Sequence, residues 1–285
     1  MSELPYTRQE MMAIAAGREL RDGELAIFGV GLSMLAGYFA QAHHAPRLRS
    51  MTEGGVYGAT PVGGLPWGIE CNRLSANATS FTHALDALGF LVASGRCDVG
   101  IIGAAQVDKF GNVNTTGIWQ DGLGEHYRAP DTRLTGAGGA NDIACGAGRV
   151  VIMVSHEAKR FAERVDYISS PGYLEGGNAR ARHGFVGGGP SAIVTTLGVL
   201  RPEPDSKEFV LTGYYPFSSV AEIQAHQRAG PCAWRPMCRK SPRPARPNWR
   251  RCAGWMPRAP CASQPSTAND HWLSCGHPEE NGEQP

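Results

Sequence analysis

The sequence predicts an α/β fold: an open, mainly parallel sheet with flanking helices. Three observations predict it. Short apolar runs rich in branched residues alternate with amphipathic helical stretches along the chain, the alternation that builds parallel sheets. Glycine turns follow the apolar runs. The composition, 42% hydrophobic and 19% charged over 285 residues with 37 glycines, is that of a globular protein with many tight turns.

The elements follow in order. Thr7 and Glu10 form a T-x-x-E capping box before the helical stretch MMAIAAGREL, with Gly23 as its stop. ELAIFGV (24–30) is a short apolar strand, and Gly29-x-Gly31 turns it into a second helix, SMLAGYFAQAHH, closed before Pro46. RLRSMT leads into a loop around Glu53, followed by the glycine- and proline-rich loop GATPVGGLPWG. SFTHALDALGFLVASGR (80–96) has apolar positions at helical spacing, and CDVGIIGAAQV (97–107) reads as a buried strand. KFGNVNTTGIW and TRLTGAGGANDIACGAG read as loops, RVVIMVS (149–155) as a strand, HEAKRFAER as a short helix and VDYISS as a strand. SAIVTTLGVL and EFVLTGYYP complete the regular part.

The net charge of +1 provides no electrostatic footprint for nucleic acid or anionic membrane. No apolar run reaches the roughly 18 residues of a membrane span. The polar start, MSELPYTRQE, lacks the order of a signal peptide, so a cytoplasmic location is expected. Residues 1–225 contain only Cys71, Cys97 and Cys145, read as reduced thiols.

After residue 225 the pattern breaks. Five of eight cysteines and four of six tryptophans lie there, and valine and isoleucine are absent. Back-translated with GC-ending codons and read from the third base, Pro247–Pro257 becomes Glu-Leu-Ala-Ala-Leu-Arg-Gly-Leu-Asp-Ala, an amphipathic helix. Residues 226–285 are therefore expected to be a frameshifted tail without order or function, and 1–225 a single domain. A zinc site from Cys232, Cys238, Cys252, Cys261, His271, Cys275 and His277 is the competing reading. It lacks any C-x-x-C pair.

Several stretches have chemical potential. SMTEGGVYGATP (50–61) sets Glu53 beside Gly54, Gly55 and Gly58. Hydration makes a carboxylate a poor nucleophile in water. Enclosed beside an acyl group it attacks readily, and bare backbone lets a bulky substrate approach. Taken alone, the plainer reading is a solvated side chain near a turn. Gly136-Ala137-Gly138-Gly139 exposes successive amides that could stabilise an anion, or forms a flexible turn. Asn112 and Asn114 offer amide side chains, which turns also use. Gly29-x-Gly31 lacks the third glycine of a dinucleotide fingerprint, position 34 being Met, and reads as a tight turn. His43, His44 and His83 lie in helical segments and have no G-x-S-x-G partner.

Together, HAPRL, TEGGVYGA, IIGAAQVDKFGNVNTTGIW, TRLTGAGGANDIA, VIMVSHEAKRFAERVDYISSPGY and VLTGYYPFSS resemble the beta subunits of class I CoA-transferases, glutaconate CoA-transferase among them. The resemblance covers residues 7–225. It implies the class I CoA-transferase fold, a homologous A (alpha) subunit as partner in a heterotetramer, and transfer of CoA between carboxylic acids, a short dicarboxylate such as glutaconate being the expected kind. It implies coenzyme A as substrate, with no metal and no further cofactor. It places the family's catalytic glutamate at Glu53 and the family's glycine-rich loop at Gly136, Gly138 and Gly139, expected to contact the oxyanion and CoA thioester. Gln106, Asn112 and Asn114 are the amides expected to contact substrate or support Glu53. A decarboxylase or C–C hydrolase on the same fold, and an inactive partner subunit, are the alternatives.

Overall fold

The computed structural model describes residues 6–60, 64–69, 71–122, 128–225 and a strand at 236–240. In chain order the elements are α1 (Arg8–Gly17), β1 (Leu25–Phe28), α2 (Leu32–His43), β2 (Arg49–Met51), β3 (Val56–Tyr57), α3 (Asn72–Ser75) and β4 (Ser80–Phe81), then a π-helix at Asp86–Val92. β5 (Val99–Gly103), β6 (Gln106–Val107), β7 (Val113–Asn114), β8 (Gly117–Ile118), β9 (Thr132–Arg133), α4 (Ala140–Gly146) and β10 (Arg149–Val154) follow. α5 (Ala179–Arg182), β11 (Pro190–Thr195), β12 (Gly198–Pro202), β13 (Phe209–Tyr214), α6 (Val220–Ala225) and β14 (Pro236–Lys240) close the order.

One sheet organises the molecule, in the order β14-β13-β12-β11-β10-β5-β1-β2-β3-β4. Its centre, β11-β10-β5-β1-β2, is parallel, as the alternation of strands and helices predicts. Antiparallel strands flank it: β3 and β4 beside β2, and β12 and β13 beside β11. Successive side chains of each central strand point to opposite faces. Ala26, Phe28, Val99, Ile101, Val151 and Met153 pack with α1 and α2. Leu25, Ile27, Ile102, Val150 and Ile152 pack on the other face with Val92 of the π-helix and Ile143 of α4. Gly37 is required in α2 because a Cβ there would enter the Phe28 ring.

The capping box forms as expected, Thr7 Oγ1 accepting from Glu10 N–H at 3.1 Å and the Glu10 carboxylate accepting from Thr7 N–H at 2.6 Å. Six expectations are corrected. The stretch 80–96 is not one helix: Ser80–Phe81 pairs with β3, and the coil behind it opens into a π-helix, with Ala93 N–H bonded to Leu88 C=O. His83 consequently precedes the helix rather than lying in it. The stretch 97–107 breaks after Gly103, and Gln106–Val107 joins a separate hairpin with Val113–Asn114. TRLTGAGGANDIACGAG contains α4, which is too short to show a helical period and is flanked by Gly136, Gly138, Gly139 and Gly148. HEAKRFAER forms only the 3-10 turn Ala158–Arg160, and VDYISS forms no strand, its Ser170 making an isolated antiparallel bridge with Val113.

Within the tail, Pro236–Lys240 pairs in parallel with β13, so this part has regular backbone. The rest of 226–285 lies outside the described residues, and with it every residue of the zinc reading except Cys238. Among the described residues no helix is long and apolar enough to cross a membrane, and no group of three His, Cys, Asp or Glu side chains is placed to hold a metal ion.

Candidate active site

Glu53 stands at the carboxyl end of β2, one strand from the point where the chain order reverses: β2 lies on one side of β1 and β5 on the other. Open α/β sheets bind their ligands outside the carboxyl ends of the strands at such a point. The turn that presents Glu53 is tight. Thr52 N–H donates to Val56 C=O at 3.0 Å, Gly55 N–H to Thr52 C=O at 3.0 Å, and the buried Thr52 hydroxyl accepts from Val56 N–H.

The glycines around Glu53 have separate tasks. Gly55 has φ +85, a Cβ there would strike the Thr82 carbonyl, and its own C=O accepts from Thr82 N–H at 2.8 Å. A Cβ on Gly58 (φ +71) would strike Thr79. Both therefore admit the chain's own segment 79–82 rather than a substrate. Gly54 is exposed, with nothing closer than 3.9 Å to where a Cβ would be, so it alone keeps the open flank expected from sequence.

The glycine loop reaches the same place. Gly136 (φ +94) and Gly138 (φ +52) hold left-handed backbone that L side chains rarely adopt. Gly139, the N-cap of α4, donates its N–H to Glu53 Oε2 at 3.3 Å. A Cβ on Gly139 would lie 2.9 Å from Glu53 Cδ and 3.0 Å from Leu88 Cδ1 of the π-helix, which explains the glycine. Two stretches far apart in sequence, Glu53 and Gly136–Gly139, are thus brought together. The part-buried carboxylate is held by one oxygen.

Gln106, Asn112 and Asn114 are placed elsewhere. All three are buried, and their amides are engaged in the scaffold. Asn112 Nδ2 donates to Asp108 Oδ2 at 2.9 Å and to Leu174 C=O at 2.8 Å, while its Oδ1 accepts from Gly172 N–H at 2.9 Å and Leu174 N–H at 3.0 Å. Leu174 has φ 57, and Asn112 clamps it through both its N–H and its C=O. Asn114 Nδ2 donates to Gln106 Oε1 and to Gly117 C=O, and its Oδ1 accepts from Thr116 N–H. Gln106 Nε2 donates to Asp166. Burial pushes the Asp108 carboxyl up to about 6, against the N–H groups of Asn112, Phe110 and Val165 that pull it down. All three amides are taken up by hydrogen bonds within the scaffold.

Two residues that the sequence did not single out join this scaffold to the loop. Ser169, buried, accepts from Thr115 N–H at 2.9 Å through its hydroxyl, which also lies 2.6 Å from Thr116 Oγ1. Thr115 C=O in turn accepts from Gly136 N–H at 2.7 Å. Asn141, in the first turn of α4, donates to Ser169 C=O at 2.8 Å. Asn141 stands in the run TGAGGAND, but nothing in the sequence points it at Ser169, which lies in a stretch read as a strand.

A sheet of mixed order, covered on both faces and presenting a carboxylate and a backbone amide at the ends of its parallel strands, defines an α/β enzyme of the open-sheet class. The sequence pattern of the Coenzyme A transferase family matches residues 9–226. The chain is 38% identical over 211 residues to the B subunit of 3-oxoadipate CoA-transferase from Pseudomonas knackmussii, covering 74% of this chain and 78% of that one. It is 34% identical over 224 residues to the B subunit of glutaconate CoA-transferase from Acidaminococcus fermentans, covering 76% and 81%. The crystal structure of the latter enzyme superimposes with a TM-score of 0.72 at 32% identity, over 79% of this chain and 86% of that one. The decarboxylase AibA/AibB, at 22% identity and a TM-score of 0.63, shares the fold. The chain belongs to the Coenzyme A transferase family and is a class I beta-type subunit.

Proposed function

We propose that the chain transfers CoA between carboxylic acids through a covalent intermediate on Glu53, in a hetero-oligomer with an A-type subunit. The observation that carries this reading is the Gly139 N–H on Glu53 Oε2. Among the described residues Glu53 Oε1 has no hydrogen-bond partner, so one oxygen is anchored and the other is free to attack.

The resemblance to class I CoA-transferases implies the chemistry, and this asymmetry is compatible with it. Glu53 Oε1 attacks the thioester carbonyl of the donor, the C–S bond breaks, and CoA leaves as the thiolate with a mixed anhydride behind it. The thiolate then attacks Glu53 Cδ. Negative charge builds on Oε2, where the Gly139 amide already points, and the donor acid departs as its carboxylate. The acceptor acid attacks the glutamyl-CoA thioester and the steps run in reverse, freeing Glu53. A preorganised donor of this kind is worth about 10²–10³ in rate. Binding of the CoA body, remote from the reacting bond, presses the thioester against Glu53.

The names of the two relatives support a short dicarboxylate as the acid, with 3-oxoadipate beside glutaconate as the first substrates to try. That both relatives are named as B subunits supports a partner of the A type. The reach of the family pattern to residue 226 supports the reading of the tail as out of frame. An uninterrupted frame in independent clones of the gene would defeat it.

The test is kinetic and chemical. With an A-type subunit present, transfer should follow ping-pong kinetics, and hydroxylamine added after acyl-CoA should convert Glu53 to its hydroxamate. Sequential kinetics with unlabelled Glu53 would overturn the proposal in favour of a decarboxylase, a hydrolase or an inert subunit.

A further inference from the structure

The Gly139 amide is aimed at Glu53 by a loop of small residues that has little packing of its own. A Cβ at Gly136 would meet nothing within 4 Å, and at Gly138 only Glu53 itself. Something else must fix the loop, since an acyl-transfer site loses rate when a donor is displaced by even about 1 Å. Two hydrogen bonds flank the aimed amide. On one side Gly136 N–H is bound by Thr115 C=O, and on the other the Asn141 side chain is bound by Ser169 C=O. Both lead to one residue. The Ser169 hydroxyl holds Thr115 N–H and Thr116 Oγ1, and reaches Asn114 Oδ1 at 3.4 Å, while the Ser169 carbonyl holds Asn141. Ser169 N–H is itself tied to Val113 C=O at 2.9 Å.

We propose that Ser169 and Asn141 are positioning residues for CoA transfer: together they clamp both ends of the Gly136–Gly139 loop and so aim the Gly139 N–H at Glu53. The proposal rests on the acyl-enzyme reading of Glu53. It gives the buried Asn114 knot a second consequence, because the same amide that closes the turn at Thr116 and Gly117 anchors the hydroxyl that holds the loop. Ser170 is the internal contrast. It is adjacent and also buried, yet its hydroxyl has no hydrogen-bond partner among the described residues.

The experiment uses the reconstituted complex with its A-type subunit and acyl-CoA. Ser169→Ala and Asn141→Ala should each lower kcat about 10-fold while KM for acyl-CoA changes less than about twofold. Ser170→Ala should leave both unchanged. The decisive arm is a double-mutant cycle. In a Gly139→Ala background, where the aimed amide is already displaced, Ser169→Ala and Asn141→Ala should cost less than about twofold more, since residues acting through one group are not additive. Ser169→Thr, which keeps the hydroxyl, should recover most of the loss. If Ser169→Ala fails to fold, Asn141→Ala, at an exposed position, carries the cycle alone. Unchanged kcat in both variants, or losses that add to Gly139→Ala and track thermal stability, would overturn the proposal while leaving the Glu53 reading intact. Absence of any adduct on Glu53 in the unaltered complex would remove both.

Discussion

Two amide-rich regions of this molecule look alike in sequence and differ in what they leave unbonded. The knot of Gln106, Asn112 and Asn114 is buried, and its amides are spent on the scaffold. The Gly136–Gly139 loop is exposed at Gly136 and Gly138, and its buried Gly139 gives its amide to a carboxylate whose other oxygen has no partner among the described residues. Buried polar groups must be satisfied or they cost stability. A saturated network therefore builds shape, and chemistry is found where valence remains. The comparison can be broken from either side.

The largest effect is expected at Glu53. Glu53→Gln should lower transfer by about 10³-fold or more, with CoA binding retained, because an amide oxygen cannot replace the nucleophile. Initial rates and equilibrium binding on the same preparation check this, after excluding deamidation. Next, Gly139→Ala should cost about 10² in kcat by pushing Glu53 and Leu88 from the aimed geometry. Its thermal stability should stay within about 1 kcal/mol, since Gly139 has an ordinary φ of −77. Gly54→Ala, where a Cβ would meet nothing closer than 3.9 Å, should leave thermal stability unchanged.

The knot should behave in the opposite way. Asn112→Ala should cost about 3 kcal/mol in denaturant unfolding, because it orphans the Asp108 and Leu174 contacts and releases a strained αL residue. Its kcat per folded molecule should stay within about twofold. A large loss of kcat with little loss of stability would place Asn112 at the substrate after all. The last effect is electrostatic. The Asp108 carboxyl titrates near 6 in the folded chain against an ordinary value of 3.8, so the folded state holds its proton more tightly. The stability this contributes is fully present below about pH 4 and is lost as pH rises through about 6, a span of up to about 3 kcal/mol. Unfolding free energies of the unaltered chain minus those of Asp108→Asn should fall across that window and be flat above it.

What can be read from the sequence divides along the same line. The Thr7–Glu10 box, β1, α2 and β10 are legible because local rules decide them: a cap, an apolar run, a helical period. α4 is hidden by its shortness and the glycines on either side of it, and the π-helix by a strand pair, β3–β4, that only tertiary contact creates. Glu53 and the glycine loop are visible as motifs, but their meeting is not, because 86 residues separate Glu53 from Gly139. The roles of the knot's amides are not legible in sequence because a side chain that closes a turn and one that binds a ligand are the same residue type until their partners are known. Ser169 carries no signal at all: its importance lies in what its backbone and hydroxyl touch.

The most direct test of the central claim is mass spectrometry of the complex quenched during turnover with acyl-CoA. The account predicts a peptide spanning residues 50–61 that carries CoA in thioester linkage on Glu53 and loses it when the acceptor acid is added before the quench. A complex that turns over at full rate while that peptide stays unmodified at every time point would contradict it.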